Sequence, residues 1–556
     1  MQRMEPDAAD DRAPWRTGVV YQIYPRSFAD TSGDGLGDLE GITRHLDHLA
    51  GSPGSLGVDA IWLSPINPSP GVDLGYDISD YASVDPIFGT GADFDRLVAE
   101  AHRRGIKVIL DLVVNHTSDA HAWFVASRGS RTGPYANRYL WSDPAGTDRA
   151  GRPVPPNNWV SFFGGSAWEW EPVRGQFYEH TFLAQQPDLN WRDPGTRADV
   201  TAMMRDWLAR GVDGFRMDVF NAFLKDPQRR SNPVRRGRSA WSRQLHVHDK
   251  DQPDLPALLA ELRAVVDEVS GRMTVGELFD GDSSRAAHLS AERHLVFDFE
   301  LLHAGWSAAA IGRALDRREA AYGPDRWPTV VLSNHDQPRH VSRWGAGRDV
   351  DELARASALL LLTMRGTPFL YYGEELGVPG VVIPNEAAID PPARHSVPGF
   401  RWWNRDQARA PMPWTGEPGA GFTTGHPWLP LPPDWRTRNV AAQRADPGSV
   451  LAFYRALLAL RRARPALHSG GLARVPTPTP GVLAFRRWTV GDRALVVLNL
   501  GRRDLAATLR LDGSAQWRPV LGTHGSDPPG IAGNGRICLR ALEGVVLAGP
   551  DVPPAR

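Results

Sequence analysis

Four short polar clusters hold the residues most able to do chemistry: Asp111 to His116 (DLVVNH), Gly214 to Asp218 (GFRMD), Gly276 to Leu278 (GEL) and Ser333 to Asp336 (SNHD). A single acid at a strand end commonly caps a helix or joins a surface ion pair. Four clusters that each end a separate strand are better explained as the parts of one site. Cleaving a glycosidic bond with retention needs two carboxyl groups about 5–5.5 Å apart, one to attack the anomeric carbon and one to protonate the departing oxygen. Asp218 and Glu277 are the candidates, on consecutive strand ends. Arg216 stands two residues before Asp218, on the same strand face, where its guanidinium would keep that carboxyl ionised and nucleophilic. Glu277, between Gly276 and Leu278, has the less charged setting expected of the proton-carrying partner. Asp336 would bind sugar hydroxyls, with His116 and His335 donating hydrogen bonds to them.

The elements that must position these residues read as alternating β-rich and helical runs, the pattern of parallel βαβ units. Strands are predicted at 19–23, 60–63, 107–113, 214–218, 274–277, 295–297, 329–334 and 367–372, separated by helices such as 94–104, 197–209, 255–269, 308–321 and 353–363. Eight such units predict an α/β fold, a (β/α)8 TIM barrel, ahead of an open doubly wound sheet. Two connections far exceed the usual two to six residues. The first, 115–191, is an inserted domain after strand three and must rise over the C-terminal mouth of the barrel, where such folds place their chemistry. The second, 378–436, is a loop-rich insertion after strand eight. Residues 1–114 and 192–377 are the barrel, 437–466 its last helix, and 467–556 a C-terminal antiparallel β-sandwich domain.

Composition excludes several classes of function. A formal net charge of -1 provides no summed field for nucleic acid or an acidic membrane surface, so a small neutral ligand is expected. Twenty Trp, 19 Phe and 11 Tyr supply flat apolar rings that stack on sugars. The single cysteine, Cys538, rules out an intrachain disulfide and a thiolate metal cage, and is predicted to be a buried strand residue. Met1 to Trp15 lacks the apolar core of a signal peptide. The longest apolar run, Ala358 to Leu362, is far too short to span a membrane. A cytoplasmic monomer or weak homodimer is expected.

With these residues in place, the chain resembles glycoside hydrolase family 13, the α-amylase superfamily, in its oligo-1,6-glucosidase and α-glucosidase branch. The four clusters match that family's conserved regions in order and spacing. Further matches are VVYQIYPRSF from Val19, GYDISDY from Gly75, GTPFLYYGEE from Gly366, NRDQARAPMPW from Asn404 and NVAAQ from Asn439. QPDLN, Gln186 to Asn190, resembles the branch marker of oligosaccharide-trimming glucosidases. The resemblance implies an exo-acting α-glucosidase with Asp218 as nucleophile, Glu277 as acid/base and Asp336 as the transition-state-stabilising acid. It also implies that Asp77 and Arg409 grip the terminal glucose O4, that Tyr76 stacks on that ring, and that Phe163 and Phe182 form walls. The loop Asp30 to Asp38 resembles the family's metal loop, with Asp30, Ser32, Asp34, the Leu36 carbonyl and Asp38 as ligands of a structural Ca2+ or Mg2+; a simple Asp/Gly turn is the alternative. Ser32 replaces the usual Asn. No organic cofactor is implied. Val219 accompanies α-1,6 activity in this family, whereas Val72, Asp73 and Leu74 depart from the polar stretch of close oligo-1,6-glucosidases. The competing activity is glucosyl transfer or sucrose isomerisation through the same covalent intermediate.

Overall fold

The computed structural model describes residues 13–278, 282–292, 294–345, 347–394, 404–511, 517–525 and 527–549. Most of the N-terminal stretch read for a signal peptide, the 395–403 part of the second insertion, and the last residues of the C-terminal segment lie outside that set.

Eight strands form one parallel sheet: β1 (Val20–Ile23), β2 (Ala60–Leu63), β3 (Lys107–Leu112), β4 (Gly214–Met217), β5 (Met273–Gly276), β6 (Leu295–Val296), β7 (Thr329–Val331) and β8 (Thr367–Tyr371). Each pairs with the next in sequence from β1 to β6, β7 pairs with β8, and β8 returns to β1. Between β6 and β7 a side chain closes the ring: Thr329 Oγ1 accepts from Asp298 N at 2.9 Å and donates to Val296 O at 3.2 Å. The fold is the expected TIM barrel. The period of two along each strand sorts its side chains. In β2, Ala60 and Trp62 join the inner cluster with Ile109, Val275 and Phe369, while Ile61 and Leu63 pack outward against the helices.

Several strands end before the residues predicted to lie on them. β4 stops at Met217 and β5 at Gly276, so Asp218 and Glu277 are the first residues beyond the ladder, at the mouth. The insertion after β3 contains a three-stranded antiparallel sheet of Trp141–Ser142, Gln176–Glu179 and Trp168–Glu171. It is pinned to the mouth by the His116–Asp188 bridge. At the C-terminal end a five-stranded antiparallel sheet faces the pair Leu505–Thr508 and Arg536–Leu539. Val482, Leu495, Val497, Ile537 and Leu547 fill the space between them, which makes the sandwich. On Arg536–Leu539 alternation buries Ile537 and Leu539 and leaves Cys538 exposed, correcting the expectation of a buried thiol. No helix among the described residues is long and apolar enough to cross a membrane.

Candidate active site

Met217 and Gly276 are register partners, so Asp218 and Glu277 stand side by side on adjacent strands, spaced about 4.8 Å apart in the sheet. Backbone bonds fix both: Glu277 N donates to Met217 O at 2.9 Å and Asp218 N to Leu112 O at 3.2 Å. Beneath them lies the fully buried Arg216, whose Nη1 donates to Asp218 Oδ1 at 2.7 Å and Asp111 Oδ1 at 2.6 Å, and whose Nη2 donates to Glu277 Oε2. Glu277 is therefore not in the less charged setting that its neighbours in sequence indicate; the same guanidinium serves both carboxyl groups. Three carboxyl groups thus surround one cation in a desolvated site. Burial pushes Asp218 and Asp111 above the usual carboxylate range against the pull of Arg216. Arg216 itself lies under the site and is absent from its walls.

Above this cluster opens a pocket of about 360 Å³, lined by Asp218, Glu277, Asp336, Tyr76, His116, Phe163, Phe182 and Val219 as expected, and also by Asp73, Phe162, Phe299 and Arg405. His335 is fully buried behind it. Gln22 Nε2 donates to His335 Nδ1 at 2.8 Å, leaving Nε2 to donate to the Tyr76 hydroxyl at 2.5 Å, which in turn donates to Asp111 Oδ2 at 2.9 Å. The His335 and Tyr76 rings stack 5.2 Å apart at 4°. His335 thus braces Tyr76, and the expectation that it donates to sugar hydroxyls does not fit its position. Burial pushes its pKa down to about 3. Burial also raises Asp336, but the adjoining His335 and the charges of Arg405, Arg409 and Arg216 outweigh it and hold that carboxyl well below the usual range. With His335 neutral at neutral pH, the arginines supply that hold.

The acid and arginine expected at the pocket floor are not the pair found there. Asp77 is fully buried outside the lining, its carboxylate accepting from Ser69 Oγ at 2.8 Å, Val72 N at 2.9 Å and Asp73 N at 2.9 Å. It organises the turn that presents Asp73. Arg409 is also behind the wall, donating from Nε to His335 O at 2.9 Å and from Nη2 to Asp336 Oδ1 at 3.0 Å. The pair on the wall is Asp73 and Arg405, with Arg405 Nη2 donating to Asp73 Oδ1 at 2.6 Å and Nη1 to Asp336 Oδ1 at 3.1 Å. Both expected positions miss by four residues. Between the two acids the chain turns through positive φ at Leu74 (54°) and Gly75 (112°). Val219 adopts φ 36° and ψ 39°, a left-handed conformation costly for a β-branched residue and typical of built sites.

The Asp30–Asp38 loop is closed by its own donors. Asp30 Oδ1 accepts from Ser32 N and Gly33 N, each at 2.8 Å, and Oδ2 from Gly35 N at 2.9 Å. Asp38 caps the helix Leu39–Leu49 through Gly41 N and binds Thr31 N at 2.7 Å, and Asp34 accepts from Leu36 N at 2.8 Å. Among the described residues no group of three or more His, Cys, Asp or Glu is arranged to hold a metal ion.

Comparison with known proteins agrees with this geometry. The chain is 44% identical over 523 residues to a probable alpha-glucosidase of Rhizobium meliloti (strain 1021), covering 90% of this chain and 91% of that protein. It is 38% identical over 545 residues to an oligo-1,6-glucosidase of Heyndrickxia coagulans, covering 92% and 96%. The crystal structure of an alpha-glucosyl transfer enzyme, XgtA, superposes with a TM-score of 0.89 at 43% identity, over 96% of this chain and 99% of that one. The alpha amylase catalytic-domain model matches residues 22–470, and the chain belongs to the α-amylase family.

Proposed function

We propose that the chain is an exo-acting, retaining α-glucosidase that releases glucose from the nonreducing ends of short α-glucosides. One observation carries the reading: Asp218 and Glu277 sit on adjacent strands, joined by a single guanidinium, and face a pocket whose wall holds the Asp73–Arg405 pair. That closeness suits the about 5–5.5 Å of a retaining pair and leaves no room for the water that inverting pairs hold across about 6.5–9.5 Å. In the first step Asp218 attacks the anomeric carbon as Glu277 gives its proton to the departing oxygen, leaving a glucosyl ester on Asp218. In the second, Glu277 takes a proton from water, the water oxygen attacks the same carbon, and Asp218 is freed. Three carboxyl groups around one buried cation favour the retention of a proton by the cluster, which is the proton the leaving oxygen needs. Asp336, kept ionised by arginines, steadies the positive charge that develops on the sugar ring. Asp73 and Arg405 take the hydroxyl of the terminal glucose farthest from the cleaved bond, which makes the action exo.

Val219 touches the pocket beside Asp218 and biases cleavage toward α-1,6 bonds by about 1–3 kcal/mol, a preference rather than exclusivity. Glucosyl transfer to a sugar acceptor is the second reading, favoured by the likeness to the alpha-glucosyl transfer enzyme. Asp218→Asn should abolish turnover of isomaltose and maltose, and Glu277→Gln should lower kcat by about 10²–10⁴-fold, with each variant folded by circular dichroism. Near-normal rates in either would overturn the roles. Product analysis of the wild-type reaction separates hydrolysis from transfer, since transfer yields trisaccharide in place of the second glucose.

A further inference from the structure

Segment 227–248 follows the Asp218 strand and contains six arginines and no acid. Arg230 is tied to Asp226, and Arg229 lies over the Trp168 ring at 6.0 Å. The others belong to a hairpin closed by the Val234–Gln244 bridge and by Arg235 N donating to Arg243 O at 2.7 Å. Its tip is folded tightly on itself: a methyl group added at Gly237 would meet Ser242 O at 2.2 Å and Arg243 N at 2.6 Å. Arg236 and Arg238 flank Gly237, and Arg243 stands two residues after Trp241 in the same hairpin. All three arginines are exposed and, among the described residues, have no carboxylate within ion-pair distance. The acids that bound the segment are engaged elsewhere, Asp226 with Arg230 and Asp249 with His246 at 2.6 Å.

The tip stands beside the pocket. The Trp241 ring meets the pocket-lining Phe162 edge to face at 5.3 Å, and His246 stacks behind it at 3.6 Å. The base of the segment is stitched to the insertion after β3, Asn157 Nδ2 donating to Arg229 O at 3.0 Å and Asn158 Nδ2 to Asn232 O at 2.9 Å. Through Trp241 the hairpin reaches the wall of the pocket at Phe162. We propose that Arg236, Arg238 and Arg243 select a leaving group or acceptor carrying a carboxylate or phosphate, with Trp241 as the stacking surface for its body. Guanidinium groups match both anions in shape and charge. This inference rests on the α-glucosidase reading.

The test compares 4-carboxyphenyl and 4-phosphonooxyphenyl α-glucopyranosides with their neutral partner, 4-carbamoylphenyl α-glucopyranoside. At low ionic strength the wild-type kcat/KM should favour at least one anionic substrate by about fivefold, and that preference should fade in about 0.5 M NaCl, because exposed charges are screened. The Arg236→Ala, Arg238→Ala, Arg243→Ala triple variant should bring the ratio close to one while keeping the neutral substrate within about twofold of wild type. A wild-type ratio near one, or a preference that survives both salt and the triple variant, overturns the proposal. The wild-type salt series decides the matter even if the variant fails to fold. Failure to hydrolyse the neutral substrate would instead overturn the α-glucosidase reading.

Discussion

Asp73 and Asp77 show how a difference of four residues separates substrate contact from scaffolding. Asp73 lines the pocket against Arg405, whereas Asp77 spends its oxygens on three donors of the turn that carries Asp73. Asp73→Asn should lower kcat/KM for disaccharides by about 10²-fold or more, since it weakens a charged contact that only a hydroxyl of the right sugar completes. Asp77→Ala should lower the melting temperature itself, because buried donors left unsatisfied cost about 1–3 kcal/mol each. Steady-state kinetics and thermal melts on the two variants check both outcomes; reversed behaviour would return the substrate contact to Asp77. This is also where the sequence was least legible. Asp218 and Glu277 could be read from their motifs because each follows a strand directly, and Asp336 because its SNHD cluster begins two residues beyond β7. Asp73 and Arg405 lie in loops whose turns, not whose spacing, decide which acid and which arginine face inward.

At the scale of elements, Lys225 couples the loop after β4 to the inserted sheet. Its Nζ donates to Thr181 Oγ1 at 2.7 Å and lies 3.0 Å from Asp188 Oδ2 and 3.6 Å from Glu179, all buried. Asp188 also accepts from Asn115 Nδ2 at 3.0 Å and bridges to His116, so the clamp reaches the pocket wall through one residue. Burial raises Glu179, the charge of Asp188 adding to it, and leaves Asp188 as the anion that faces the lysine. Lys225→Met should destabilise the fold by about 3–5 kcal/mol by stranding a buried carboxylate. A double variant that also carries Asp188→Asn should recover much of that loss in denaturant titrations; equal losses in the single and double variants would show that no such coupling exists. All eight strands were legible from their β-rich runs, with ends displaced by up to three residues at β7. The clamp was not, because Lys225 and Asp188 are far apart in sequence and only the path of the insertion brings them together.

At the scale of the whole molecule, Arg487 of the C-terminal sandwich reaches into the barrel beside Arg461 of the last barrel helix, both buried. Arg461 Nη1 donates to Leu362 O at 2.8 Å and Nη2 to Gly366 O at 3.0 Å; Arg487 donates to Thr363 O at 2.5 Å, Leu467 O at 2.9 Å and Gly470 O at 2.9 Å. Leu362 and Thr363 end the buried helix Val350–Thr363, whose last carbonyls have no partner inside the helix and whose negative end favours a cation. Gly544 of the sandwich comes so close to this helix that a methyl group there would meet Leu359 Cδ2 at 2.6 Å. Burial holds Arg461 down to about 10 and Arg487 well below its usual value. Arg487→Met keeps the apolar stem but removes every donor, leaving the Thr363 and Gly470 carbonyls facing a dry interface. Scanning calorimetry should show a lower melting temperature, with kcat/KM at 25 °C unchanged because neither arginine touches the pocket. An unshifted melt would mean that apolar packing alone holds the two parts together.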